Sequence, residues 1–90
     1  MTGTHESHPD ILNRLKRARG HLENVIGMIQ DGRSCAELAQ QLHAIERAIA
    51  AAKKTLIHDH IDHCLDHAVG GNTRASKAAI EEFKDITKYL

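Results

Sequence analysis

The constraint that weighs most on this chain is the absence of a helix breaker over much of its length. From Arg33 to Val69 there is neither glycine nor proline, the two residues least tolerated inside a helix. Within that run Leu38, Leu42, Ile45, Ile49, Ala52 and Leu56 recur at spacings of three and four, the period of one helical face. The spacing predicts one long helix. In a chain of 90 residues it leaves room for two shorter ones. Ile11, Leu15, Ala18, Leu22, Val25 and Ile29 mark the first, starting at Ser7 or His8. Pro9 fits the first turn there, and Asp10 suits the positive end of the helix dipole. "DGRS" at Asp31–Ser34 separates it from the long helix. Gly32 can end the first helix and Ser34 can cap the second, with Glu37 completing a capping box. "GGNT" at Gly70–Thr73 is the second break, and Ala79, Phe83, Ile86 and Leu90 mark a short third helix. The expectation is an all-α, three-helix protomer with a long central helix. It forms a single domain over residues 1–90, with a flexible tail at residues 1–8.

So small a chain buries only about 60% of its unfolded surface. Its apolar residues, 41% of the total, are mostly Ala, Leu and Ile, and Phe83 and Tyr89 are the only aromatics. A thin core of this kind favours oligomerisation. The net charge is zero with eight histidines, so global charge names no partner. "MTGTHESHPD" has no basic or apolar signal region, and no run approaches the roughly 20 apolar residues of a membrane span. The two cysteines are therefore expected as reduced thiols in a cytosol.

"IHDHIDHCLDH" gathers His58, His60, His63, Cys64 and His67, while the only other cysteine, Cys35, lies far upstream. With Leu38 as zero and 100° per residue, Cys35 falls near 60°, His60 near 40° and Cys64 near 80°, on one edge of the apolar seam. His63 and His67 fall on the seam itself, and His58 points away as a solvated residue. His60 and Cys64, four apart, cover one patch, as chelation requires. Cys35 is about 37 Å away along a straight helix. Two antiparallel copies, related by a two-fold near Arg47–Ala50, bring Cys35 of one beside His60 and Cys64 of the other. "AIERAIAAAKK" at Ala44–Lys54 supplies small residues where such helices would approach. Thiolate and imidazole select Cu(I), Zn(II), Ni(II) or Co(II) over Mg or Ca. A structural cysteine and histidine, or an inter-chain disulfide, are the competing readings. No phosphate loop, nucleophile elbow, HExxH or CxxC motif is present, so an enzyme is not expected.

"NRLKRARGH" at Asn13–His21 concentrates Arg14, Lys16, Arg17 and Arg19, and Arg14, Arg17 and His21 share one face. Lys53 and Lys54 add charge in the long helix, with Arg47 nearby. The functional reading is a phosphate-contacting surface for double-stranded DNA; the bland one is a solvated charged face. Without a helix-turn-helix signal, finger motif or aromatic platform, DNA would be read by backbone and shape.

From "LNRLKRARGHL" through "CAELAQQLHAIERAI" and "LIHDHIDHC" to "AAIEEFKDITKYL", the chain resembles the copper-sensitive operon repressor family of metal-sensing regulators. Its relatives include nickel/cobalt repressors and formaldehyde or persulfide sensors. The resemblance implies an antiparallel dimer, two dimers in a flat tetramer, and metal binding that releases operator DNA. It matches Cys35, His60 and Cys64 to the metal ligands, Glu82 to a carboxylate supporting them, and Arg14, Lys16 and Arg17 to DNA contacts. Copper-sensing members usually carry a Tyr where this chain has Ser34. Nickel and cobalt sensors recruit an N-terminal His whose usual register here is Gly3, with His5 and His8 close by. His63 is a further candidate ligand. "AKKTLIHDHIDHCL" and "EEFKDITKYL" look most like nickel/cobalt-responsive efflux repressors. The expected function is a cytoplasmic repressor released from its operator by Ni(II) or Co(II), derepressing a metal efflux gene. A Cu(I)-responsive repressor is the alternative. A thiol- or aldehyde-responsive sensor and a metal-buffering bundle without a DNA role are kept from other classes.

Overall fold

The computed structural model describes residues 7–69 and 73–90; for Cys64 and positions 66–69 and 73–76 only the backbone is described. The order is α1 (His8–Gln30), α2 (Cys35–Val69), α3 (Thr73–Ile86) and one 3-10 turn (Thr87–Tyr89). The described residues are helical with no strand, as the periodicities predict. α1 starts at His8, one of the two starts that the sequence suggests, so His8 belongs to the helix rather than to the tail at residues 1–8. The third helix stops short of Leu90. At its end the Thr87 hydroxyl donates to the Lys84 carbonyl at 2.8 Å, and a side chain that bonds this carbonyl competes with continued α-helical winding.

The turn between α1 and α2 follows from its residues. Gly32 has φ of +74°, a conformation that costs an L side chain about 1–2 kcal/mol. The Gly32 N–H donates to Ile29 at 3.1 Å and the Arg33 N–H to Met28 at 3.0 Å, the paired bonds of a Schellman ending. Ser34 then caps α2, its Oγ accepting the Glu37 N–H at 3.2 Å. The reciprocal half of the capping box is replaced. Glu37 Oε2 instead accepts from Arg33, at 2.8 Å from Nε and 2.7 Å from Nη2, because a guanidinium is a stronger donor than a backbone amide.

The residues fall into two compact units. Pro9–Lys53 is a helical hairpin of α1 and the first part of α2. Ile11, Ala18 and Val25, seven apart on α1, are buried, as are Ile45 and Ala52, seven apart on α2. This repeat is the seam of two antiparallel helices. Each buried stripe has an exposed neighbour: Leu15, Leu22 and Ile29 on α1, and Leu42, Ile49 and Leu56 on α2. Lys54–Leu90 form the second unit, to which Ser7 and His8 also belong. There Ile57 and Ala79 are buried. Among the described residues, no helix is long and apolar enough to cross a membrane.

Candidate metal site and cationic cleft

Two features bear on function, an imidazole–carboxylate pair in the Lys54–Leu90 unit and a cationic cleft in the hairpin unit. In the Lys54–Leu90 unit, α2 presents His60 and α3 presents Glu82. The His60 Nε2 lies 3.4 Å from Glu82 Oε2, with His60 only 22% exposed and Glu82 63% exposed. A carboxylate at one ring nitrogen fixes the orientation of an imidazole. One residue before His60, Asp59 accepts a hydrogen bond from Ser7 Oγ at 2.6 Å.

The other candidate ligands stand as follows. Cys35 opens α2 with an exposed thiol and belongs to the hairpin unit, whereas His60 belongs to the other. Cys64 is within α2, but its side chain, like all of His5, lies outside the described residues. His8 is half-buried at the start of α1, His63 is exposed on α2 and His58 is exposed as expected. Among the described residues, no three His, Cys, Asp or Glu gather into a cation site.

The basic residues do converge. Arg14, Arg17, Ala18 and His21 of α1, with Ala48 and Ala51 of α2, line a cleft of about 300 Å³. The small residues of the alanine-rich segment therefore serve α1 of the same chain at these positions. The cleft combines two guanidiniums and an imidazole over an apolar floor, a geometry suited to a phosphate oxygen. Arg14 Nε is engaged by Asp10 at 2.8 Å, and the His21 ring shares a hydrogen bond with Gln41. Lys16, Lys53 and Lys54 are exposed.

Ser7, Asp59 and Gln41 escaped the sequence reading as participants. Asp59 is legible only as the neighbour of His60. Its pairing with Ser7, 52 residues away, leaves no periodic trace.

Residues 7–89 match the family model described as metal-sensitive transcriptional repressor. This chain belongs to that family. The metal-sensitive repressors are transcriptional regulators rather than enzymes. The copper-sensing transcriptional repressor CsoR of Mycobacterium ulcerans (strain Agy99) is 36% identical over 78 residues, covering 87% of this chain and 65% of that protein. The chain thus spans just under two thirds of that relative's length. CsoR of Bacillus subtilis (strain 168) is 31% identical over 80 residues, covering 87% of this chain and 79% of its own. Among solved structures, the nickel-responsive transcriptional regulator InrS superposes with a TM-score of 0.76 at 30% identity, covering all of both chains. This metal-sensitive repressor therefore shares its fold with a nickel-responsive protein and is 31–36% identical to these two copper-sensing ones.

Proposed function

We propose that this chain is a cytoplasmic repressor that binds operator DNA when metal-free and leaves it on binding Ni(II) or Co(II), derepressing a metal efflux gene. The observation that carries the site is the His60–Glu82 pair, an imidazole held by a carboxylate in a family of metal-sensing repressors. Cys35, His60 and Cys64 are the proposed ligands, with Glu82 orienting His60. Thiolate and imidazole fit a soft or borderline transition ion and exclude Mg(II) and Ca(II) as effectors. When bound, such an ion supplies cross-helix bonds stronger than the hydrogen bonds they replace.

Cys35 is proposed to come from a second copy. The exposed stripe of Leu42, Ile49 and Leu56, 37–47% accessible, supports an antiparallel dimer, since contiguous apolar faces of this kind mark association surfaces. Two such dimers make the proposed tetramer. Arg14, Lys16 and Arg17, with Lys53 and Lys54, form the proposed DNA surface, and the Arg14–Arg17–His21 cleft is its phosphate seat.

Nickel and cobalt are favoured because the InrS likeness covers the whole chain and because His8 shares a unit with His60. A nitrogen from His8 or His5 completes a four-ligand set, and His63 is a further candidate. The second reading is Cu(I), which is satisfied by three ligands; the two relatives are named as copper-sensing. Operator-binding titrations with Ni(II), Co(II), Zn(II) and Cu(I), under reducing conditions, decide between them. Release by Ni(II) or Co(II) at lower free metal than Cu(I) is expected. Release by Cu(I) alone makes this a copper sensor, and metal binding without DNA binding makes it a buffering bundle.

A further inference from the structure

We infer that the Ser7–Asp59 hydrogen bond couples the His60 site to α1 and biases the chain toward its DNA-binding arrangement, an inference that rests on the repressor reading above. At 2.6 Å and half-buried, the bond is of the short, charge-assisted kind formed by a hydroxyl and a carboxylate. It joins residues 52 apart in sequence, so no local backbone geometry imposes it.

Each end of the bond sits next to a functional element. Ser7 immediately precedes α1, whose next turns carry Arg14, Lys16 and Arg17. Pro9 lies in that first turn, and its fixed φ stiffens the junction between Ser7 and the helix. The proposed coupling runs from Ser7 through this junction to α1. Asp59 immediately precedes His60 in α2 and rides on the same helical turn. A shift of the α2 backbone at His60 carries the Asp59 carboxylate with it, and a hydrogen bond this short has little slack.

Linkage fixes the sign. If the bond belongs to the DNA-binding arrangement and is weakened when the His60 site is filled, it favours DNA binding and opposes metal binding, and its loss is divided between the two. Removing the hydroxyl should therefore lower operator affinity and raise metal affinity together. Loss of fold would lower both.

The test uses the full chain carrying Ser7→Ala, Ser7→Gly and Ser7→Thr. Gly lacks the hydroxyl but remains acceptable at a helix start, which separates the Asp59 bond from capping. Metal-free operator affinity is read by fluorescence anisotropy, and Ni(II) and Cu(I) affinities by competition with a chromophoric chelator. For Ser7→Ala and Ser7→Gly, operator affinity should fall and metal affinity rise, the two changes together multiplying to about fivefold, a modest allosteric coupling. Ser7→Thr should restore both. Unchanged affinities in the Ala and Gly variants overturn the inference, and so does a parallel fall in both. A wild-type chain that binds no operator, or keeps it when loaded with metal, instead overturns the repressor reading and takes the inference with it.

Discussion

In the hairpin unit, Ile11, Ala18, Val25, Ile45 and Ala52 are buried, and the turn is closed by Gly32, Ser34 and the Arg33–Glu37 pair. In the unit containing Lys54–Leu90, Ile57 and Ala79 are the buried residues among those described, and Ser7–Asp59 and His60–Glu82 supply polar contacts. The first arrangement rests on apolar burial and capping, with Arg33–Glu37 as an exposed ion pair at the turn. The second rests partly on ion-type contacts, whose strength changes when a charged group arrives beside them. The Arg14–Arg17–His21 cleft thus lies in the hairpin unit, and the His60–Glu82 pair in the other.

This contrast is open to attack by substitution. The largest effect is expected from His60→Ala, which should lower metal affinity more than about a hundredfold and abolish metal-driven release, an effect beyond that of losing a supporting carboxylate. Metal-free operator affinity should be retained; a variant that still releases normally removes His60 from the site. Glu82→Gln should cost roughly tenfold in metal affinity, the lower end for a residue that orients a ligand, measured by chelator competition. An unaltered affinity would reduce the 3.4 Å pair to a surface contact.

The hairpin should respond in the opposite sense. Gly32→Ala places a side chain at φ of +74° and should lower unfolding free energy by about 1–2 kcal/mol, visible in a thermal melt. The space around the position is open, so backbone strain alone sets this cost. Arg14→Ala should flatten the dependence of operator affinity on salt by about one phosphate contact without altering metal affinity. Should it weaken metal binding as well, the division between the units breaks down. Smallest of all, Ser34→Ala should cost about 1 kcal/mol through loss of the cap. A neutral result would mean that Arg33–Glu37 carries the start of α2.

The helices and the turn were legible because their causes are local. The unbroken run from Arg33 to Val69, Gly32 at the end of α1, and Ser34 ahead of α2 act through neighbours within a few residues. The likeness of Arg14, Arg17 and His21 in helical phase was legible for the same reason, and the structure gathers them into one cleft. Periodicity alone left undecided which apolar positions face inward. Leu42 and Ile45 both belong to the seam, yet Ile45 is buried and Leu42 exposed, because the packing of α1 selects one edge of a broad apolar face. Tertiary structure likewise decided that the alanines at 48 and 51 line one cleft with Ala18 and that Glu37 turns to Arg33. It also decided that Ser7 reaches Asp59. Such choices depend on which side chains arrive at one point from distant parts of the chain. Helical periodicity records the face of a residue but not the partner that face will meet.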